Sequence, residues 1–466
     1  MNPTTPVRSI PIKNPKLNRT ATSRNAASGT GGFTALDLIK VPLFFILPFV
    51  LVNAASFQAQ MAILGHHRTV VSNGVVKMAL LGLILAAFWL RWKIVPTRLM
   101  TITLIFFAYL LLDAVRLYFS VGLEISDVLY GYNTYYTIIL VNVIALAVPL
   151  RFSERRLTQL VVFTFIICAS LGVAQFVTQR PIVPTSNADG TFKVFGLGLF
   201  TSRAFSLFQE AWSFALFSSF ALAFFIVRMR RRRGKLRNYA LMLLAVTAVG
   251  IAEAREVYVG VVGIIISALF FTYGKRRNRT RWLPLVWLGL GIAVSFFAYY
   301  LSQLGGRSHS LSDTGSFTMR LREWSYYLHL LTQNGIGILF GFGIAQTPNA
   351  AGASGIVAID NMYVATIANI GIVGFIIYML LAWSLWERVR KIGETRQSDM
   401  ATAIAAFFSV YLCSTIFMKG LEPFGTVLLL FTLSEASTFA SQPDSDEAAI
   451  RNGNAGKFPA GVSQRA

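Results

Sequence analysis

A carboxylate stands at the start of a long apolar run late in the chain. Positions 359 to 374 read IDNMYVATIANIGIVG, so Asp360 and Asn361 are followed by residues that carry no charge. An ionisable group at the edge of a membrane helix is costly, which makes it a functional candidate, and a carboxylate there has the chemistry of a general base. The alternative is a helix cap, because Asp and Asn are both favoured before the first turn of a helix.

Two glycines follow this carboxylate at helical spacing. A projection at the helical period places Asp360 on one face with Gly371 and Gly374. Small residues at such spacing let a neighbouring helix approach closely. The projection therefore predicts that the face carrying Asp360 turns into the helix bundle and away from lipid.

Arginine is the second chemical candidate, and one copy lies in an amphipathic stretch. FTMRLREWSYYLHLLTQNG (317–335) has helical periodicity, with Gly335 as the expected stop. The face that includes Arg320 is otherwise aromatic and apolar, and its other members are Trp324, Tyr327 and Leu331. Arg322 falls on the opposite, polar face. Arg320 is thus a candidate anion ligand, and the alternative is interfacial snorkelling or a cation–π contact with an aromatic neighbour.

Further charges lie beside predicted apolar spans. The stretch IAEAREVYVG forms a tight turn with Arg255 between Glu253 and Glu256, where local ion pairing is the alternative to a substrate contact. In FTSRAFSLFQEAW, Arg203 and Glu210 are seven residues apart and are predicted to share one helical face, as a structural ion pair or as substrate contacts.

A final charged pair has a simpler interpretation. Asp113 and Arg116 are three residues apart at the end of a predicted span. This spacing favours a structural ion pair on one helical face.

The elements that must position these residues are membrane helices. Of the 466 residues, 55% are hydrophobic and 13% are charged, too apolar for soluble domains of ordinary size. Continuous runs of about 20 apolar residues cross a bilayer as helices, which predicts an all-α polytopic membrane protein. Twelve spans are predicted, near residues 41–58, 73–90, 99–118, 134–150, 157–178, 205–227, 238–254, 257–274, 282–303, 361–386, 399–418 and 422–440.

Lysine and arginine concentrate in every second connecting segment, as expected for loops that stay in the cytoplasm. Both termini are therefore predicted to be cytoplasmic. Segments 179–204 and 304–360 become long extracytoplasmic loops, the second between spans nine and ten. The net charge of +22 follows mainly from this topology, so no nucleic-acid partner is expected.

The chain divides into one membrane domain and two polar ends. Residues 1–38 and 441–466 are expected to be disordered cytoplasmic termini, which leaves 39–440 as the membrane domain. The N-terminus lacks the pattern of a cleavable signal. Cys168 and Cys413 fall inside predicted spans, so no disulfide framework is expected. The four histidines lack metal-ligand spacing, and neither a metal nor another cofactor is predicted.

With these features, the chain resembles members of the O-antigen ligase and polymerase superfamily of bacterial cell envelopes. The resemblance rests on Arg255, on Arg320 within MRLREW with the following GFG, and on one motif after the longest outer loop. That motif is a carboxylate or His, then Asn, nine residues and Gly-x-x-Gly, here Asp360, Asn361, Gly371 and Gly374. Ligases of the family typically carry His where this chain has Asp360, which favours a polymerase of repeat-unit exopolysaccharide or O-antigen. A ligase remains the alternative.

The resemblance implies a metal-independent glycosyltransferase that acts on undecaprenyl-diphosphate-linked oligosaccharides at the periplasmic face of the inner membrane. Arg255 and Arg320 would clamp the diphosphate, with Arg203 as a third candidate, because guanidinium binds phosphate oxygens in pairs. Asp360 would be the catalytic base, with Glu210 second. The residues expected to shape the site are Asn361, Gly371 and Gly374.

The same pathway would supply a chain-length regulator and a flippase as partners. A transporter or flippase for lipid-linked sugar is the alternative from another functional class. Such a protein is expected to show internal repeats and interrupted helices near the membrane midplane. No convincing repeat is present in the sequence.

Overall fold

The computed structural model describes residues 98–121, 154–179, 203–208, 211–231, 236–273, 280–304, 314–333, 335–343, 361–395 and 398–414. These residues form helices joined by turns, without a strand among them, which confirms the all-α prediction. The α-helices are α1 (Arg98–Val121), α2 (Glu154–Thr178), α3 (Ala211–Arg231), α4 (Leu236–Ala252), α5 (Arg255–Tyr273), α6 (Leu283–Leu304), α7 (Thr314–Gln333), α8 (Gly335–Phe340), α9 (Met362–Thr395) and α10 (Asp399–Ser414). A 3-10 turn, Thr280–Trp282, leads into α6.

Among the described helices, α1, α2, α3 and α9 are long and apolar enough to cross a membrane. Shorter apolar helices coincide with the predicted spans at α4, α5, α6 and α10. These apolar helices make the chain an integral membrane protein. The predicted spans near 41–58, 73–90, 134–150 and 422–440 lie outside the described residues, so the count of twelve stays a prediction.

Helix α3 lies at the centre of the described bundle. Its residues from Ser213 to Val227 are all buried, and it packs against α2, α4, α5 and α10. A helix that is apolar around its whole circumference requires such burial. Helices α1 and α2 instead expose large apolar side chains, among them Leu112 (70% exposed) and Phe163 (64%). Exposed apolar surface of this kind is expected where protein meets lipid.

Ion pairs tie the helices together where α3 ends and α10 begins. Arg231 of α3 lies 3.6 Å from Asp399 and donates to the Thr402 hydroxyl at 2.9 Å. Arg390 of α9 is buried and donates to both carboxylate oxygens of Glu394 at 2.8 and 3.0 Å. Buried charges require such partners. Arg231 therefore connects α3 to α10 and also to α9, where it donates to the Gly393 carbonyl at 3.3 Å, whereas the Arg390 pair lies within α9.

Three helix boundaries differ from the sequence predictions. Helix α3 begins at Ala211 rather than near residue 205, because residues 203–208 form a turn held by another helix. Helix α7 ends at Gln333, and Gly335 begins α8 rather than ending the preceding helix. Helix α9 continues past residue 386 to Thr395, where the ion pair of Arg390 and Glu394 supports its last turns.

Candidate functional site

Asn361 caps the start of α9. Its Oδ1 atom accepts the amides of Tyr363 at 2.9 Å and Val364 at 3.1 Å, and its carbonyl accepts the Ala365 amide at 2.8 Å. These bonds satisfy amides that have no partner within the helix. The cap that the sequence assigned to either residue thus belongs to Asn361. Asp360, immediately before it, lies outside the described residues and is not needed for this cap.

Helix α9 is interrupted at Gly371, whose φ is 67° and ψ is 179°. This backbone conformation is essentially restricted to glycine. The rings of Tyr363 and Phe375 are centred 6.1 Å apart, although twelve residues of continuous helix rise about 18 Å. Residues 362–370, here called the N-terminal half-helix, therefore fold back toward the rest of α9. The projection that put Asp360 on one face with Gly371 and Gly374 is wrong, because it requires a continuous helix.

The interruption leaves three carbonyls without their helical amides, and other segments supply donors to each. Residues 341–343, here called the glycine loop, donate the Phe342 amide to Ala368 at 2.8 Å and the Gly343 amide to Asn369 at 3.0 Å. The Tyr109 hydroxyl of α1 donates to the Ile370 carbonyl at 2.5 Å. Backbone groups buried away from water need such partners. The interruption is therefore a joint between α9, the glycine loop and α1.

Glycine is required at this joint because no Cβ fits. A Cβ on Gly371 would lie 2.1 Å from the Leu339 carbonyl oxygen. A Cβ on Gly341, whose φ is 75°, would lie 2.6 Å from the Asn369 carbonyl oxygen, and one on Gly374 would lie 2.6 Å from the Tyr109 ring. The glycines do permit close approach, as the sequence predicted. At the interruption the closest partners are backbone atoms: those of Leu339 and Phe340 in α8 for Gly371, and those of Asn369 and Gly371 in α9 for Gly341.

Arg116 of α1 holds the glycine loop from the other side. Its Nη2 atom donates to the carbonyls of Phe340 at 3.3 Å and Gly341 at 3.1 Å. Its Nε atom donates to Asp113 at 2.8 Å, and the Asp113 carboxylate is almost fully buried. The predicted structural pair of Asp113 and Arg116 is confirmed. The pair also connects α1 to the end of α8.

The aromatic face of α7 packs on the N-terminal half-helix. Tyr327 and Leu331 are 4% and 2% exposed and form one cluster with Val364, Ala365 and Ala368. The opposite side of α7 is open, since Tyr326 is 55% exposed. The predicted division of this helix into a packed and an exposed face is confirmed. Position 320 belongs to the packed face by helical period, two turns before Tyr327.

Segment 203–208 is a turn docked on α2. The Oε1 atom of Gln175, itself buried, accepts the amides of Phe205 at 3.0 Å and Ser206 at 2.7 Å. The Ser206 hydroxyl donates to the Cys168 carbonyl at 2.6 Å, and the φ of Ser206 is 55°. Left-handed backbone is uncommon for a residue other than glycine. The surrounding hydrogen bonds therefore hold this turn in one unusual conformation.

Arg203 begins this docked turn. Its Nε atom is buried and has no hydrogen-bond partner among the described residues. A buried cationic edge without a partner is unfavourable, which suits the position to an anionic ligand. Glu210 lies outside the described residues. Because α3 begins only at Ala211, the prediction that Arg203 and Glu210 share one helical face is wrong.

Arg255 is the first residue of α5, directly after a tight turn from α4. Within the turn, Glu253 is 7% exposed and has a φ of 50°. The amide of Ala204 donates to the Ile251 carbonyl at 3.0 Å. The turn that carries Arg203 is thus hydrogen-bonded to the turn that precedes Arg255. Local ion pairing at Arg255 stays an open alternative.

The candidate arginine positions belong to two neighbouring parts of the bundle. Arg203 and Arg255 belong to the paired turns, whereas position 320 belongs to the packed face of α7. Helix α10 connects the two parts, since the Tyr363 hydroxyl donates to the Leu412 carbonyl at 2.6 Å and α10 packs against α5. In the described part of the chain, no three His, Cys, Asp or Glu side chains could hold a metal ion. Its guanidinium groups are instead suited to anions.

Sequence reasoning missed Tyr109 and the second role of Arg116. The GFG motif was a visible signal, because three residues with two glycines indicate close backbone approach. No sequence feature identifies the partner of that loop. Tyr109 resembles any other aromatic residue of an apolar span until α9 is known to be interrupted beside it.

A comparison with protein-family models identifies one segment of the chain. Residues 240–379 match the model described as O-antigen ligase. The match contains Arg255, Arg320, the glycine loop and the motif from Asp360 to Gly374, whereas Arg203 and Glu210 precede it. A comparison with curated proteins gives no match.

Proposed function

From the match of residues 240–379 to the O-antigen ligase family, we propose that this protein polymerises lipid-linked glycans. The match confirms the resemblance to the ligase and polymerase superfamily. Its substrates are undecaprenyl-diphosphate-linked oligosaccharide repeat units. Its product is exopolysaccharide or O-antigen, made at the periplasmic face of the bacterial inner membrane. Members of this family are glycosyltransferase-like enzymes.

One observation carries this proposal. The packed face of α7, to which position 320 belongs, contacts the N-terminal half-helix, and that half-helix starts at the Asn361 cap. Asp360 directly precedes the cap. Position 320 therefore lies on one of two helices that pack against each other, and Asp360 directly precedes the other in the sequence. This arrangement supports a phosphate ligand and a base that act on one substrate.

The proposed diphosphate ligands are Arg255 and Arg320, with Arg203 as a third. Guanidinium binds phosphate oxygens bidentately and keeps its charge, so the leaving diphosphate can be held without a metal. The buried Nε atom of Arg203, without a partner among the described residues, supports its inclusion. The turn of Arg203 is also bonded to the turn before Arg255.

The proposed reaction is a displacement at the anomeric carbon of the donor glycan. The acceptor hydroxyl oxygen forms the new glycosidic bond, and the bond from the anomeric carbon to the diphosphate oxygen breaks. Undecaprenyl diphosphate leaves with the electron pair, and Asp360, or Glu210 as second candidate, takes the hydroxyl proton. A positioned base contributes about 10² to 10⁴ in rate. A single displacement inverts the anomeric centre.

The membrane placement follows the charge pattern of the loops. The basic segments lie in the cytoplasm together with both termini, and the loops that hold α7, α8 and Arg203 lie in the periplasm. A flippase and a chain-length regulator of the same pathway are the proposed partners.

Substitution of the proposed base and clamps tests the proposal. Asp360→Asn, Arg255→Lys and Arg320→Lys should each abolish or shorten polymer on a gel at membrane levels equal to wild type. The lysine variants keep the charge but lose the planar fork. Normal polymer from Asp360→Asn would remove the carboxylate from the chemistry. Arg155→Gln is a matched control, because Arg155 is exposed on α2 away from the proposed site.

A ligase is the second candidate, favoured by the description of the matching family model. A ligase would transfer finished glycan from undecaprenyl diphosphate to a lipid A core. Purified protein given both repeat units and lipid A core distinguishes the two. A ladder that remains on undecaprenyl diphosphate supports the polymerase, and a capped core supports the ligase.

A transporter of lipid-linked sugar is the remaining alternative, and the interrupted helix α9 bears on it. Transporters use freed carbonyls of interrupted helices to hold ions or substrates. Here the freed carbonyls of residues 368–370 accept from the glycine loop and Tyr109. This pairing favours a structural joint over a transport site.

A further inference from the structure

The joint at Gly371 contains two side chains of α1 that have no part in the proposed chemistry. We infer that Tyr109 and Arg116 are positioning residues, which fix α7 and α8 on the N-terminal half-helix and thereby set Arg320 relative to Asp360. This inference rests on the proposed function.

Tyr109 provides a hydrogen bond that the backbone cannot replace. In a continuous helix the Ile370 carbonyl would accept the Gly374 amide, but the Gly371 interruption separates the two. The Tyr109 hydroxyl takes the place of that amide at 2.5 Å. Removing the hydroxyl leaves the carbonyl without this donor, beside the point where the half-helix turns back.

Arg116 fixes the other component of the joint. One guanidinium nitrogen donates to two successive carbonyls, those of Phe340 and Gly341, while Asp113 fixes the orientation of the group. A lysine ammonium is a point charge without this fork, so it would replace the contact only in part. Arg116 therefore determines where α8 ends and where the glycine loop enters the interruption.

These contacts act on the proposed site because α7 and α8 pack on each other and both pack on α9. Displacement of the glycine loop would move α8, and α7 with it, across the half-helix. The joint borders the core around α3, because Ile370 belongs to that core and Tyr109 packs against it. A misplacement of about 1 Å at a reacting group can reduce a rate about a hundredfold.

A double-mutant cycle distinguishes positioning from general destabilisation. The probe is undecaprenyl diphosphate, and its Kd is measured with the full-length protein in lipid nanodiscs for Arg116→Gln, Arg320→Lys and the double variant. We expect each single change to weaken binding about tenfold, and the double variant also about tenfold, because coupled residues are non-additive. Independent effects would give about a hundredfold loss and would overturn the inference.

Conservative variants complete the test. Tyr109→Phe should also weaken undecaprenyl diphosphate binding, and its effect should not add to that of Arg320→Lys. Tyr118→Phe on the same helix should leave binding unchanged, since Tyr118 is 48% exposed. Arg116→Lys should give an intermediate affinity. Wild-type affinity in both Tyr109→Phe and Arg116→Gln would also overturn the inference. Unchanged binding by Arg320→Lys would refute the proposed diphosphate clamp and, with it, the reason for positioning.

Discussion

Gly371→Ala perturbs the joint that fixes the N-terminal half-helix. The new Cβ would lie 2.1 Å from the Leu339 carbonyl oxygen, a backbone atom that cannot rotate away. The backbone at φ 67° and ψ 179° is also almost inaccessible to alanine.

These two effects set the expected magnitude. Left-handed strain costs about 1 to 3 kcal/mol. Overpacking against fixed atoms costs about 1 to 3 kcal/mol. Gly371→Ala should therefore lower the free energy of unfolding by about 2 to 6 kcal/mol, or force the half-helix into a different position.

The assay compares Gly371→Ala with Gly289→Ala in the purified full-length protein. A Cβ on Gly289, inside α6, has nothing within 4 Å, so alanine there should be neutral or stabilising by about 0.5 to 1 kcal/mol. Gly371→Ala should show a lower thermal unfolding midpoint and lose polymer formation. Equal midpoints and equal activity in the two variants would refute the interrupted helix.

Three further changes test the local geometry. Asn361→Ala should cost about 1 kcal/mol and Asn361→Asp should retain the cap; equal unfolding midpoints would contradict the observed cap. Leu331→Ala should release α7 and speed limited proteolysis of the outer loop, whereas Leu328→Ala, at a 43% exposed position, should not; equal cleavage would contradict the packed face. Arg203→Gln should weaken undecaprenyl diphosphate binding about tenfold, as loss of a charged hydrogen bond predicts, and exposed Arg155→Gln should leave it unchanged.

The helical repeat of the sequence correctly predicted the positions of several helices and the faces of α7. The apolar stretches around α1, α2, α4, α5, α6 and α10 correspond to predicted spans, and the faces of α7 divide as expected, with Tyr327 buried and Tyr326 exposed. Each of these features follows from the helical repeat and the burial of one face. A single sequence contains both properties.

The start of α3 and the interruption of α9 were not predicted, because both depend on contacts with distant segments of the chain. The apolar letters of 205–208 favour a helix, but Gln175 of α2 binds the turn amides and delays α3 until Ala211. Gly371 is spaced like a glycine of a close-packed continuous helix, but the helix is interrupted there and the backbone of Leu339 and Phe340 at the end of α8 lies against it. In both cases the competing partner is distant in sequence, so no local pattern identifies it.

The most direct test of a glycosyl-transfer enzyme is reconstitution of the purified protein in proteoliposomes with lipid-linked repeat units on one face. The repeat units can be extracted from cells that lack this protein. New glycosidic bonds, a ladder of chain lengths and released undecaprenyl diphosphate are predicted, and Asp360→Asn should yield none of them. Movement of repeat units to the other face without any new glycosidic bond would contradict the account.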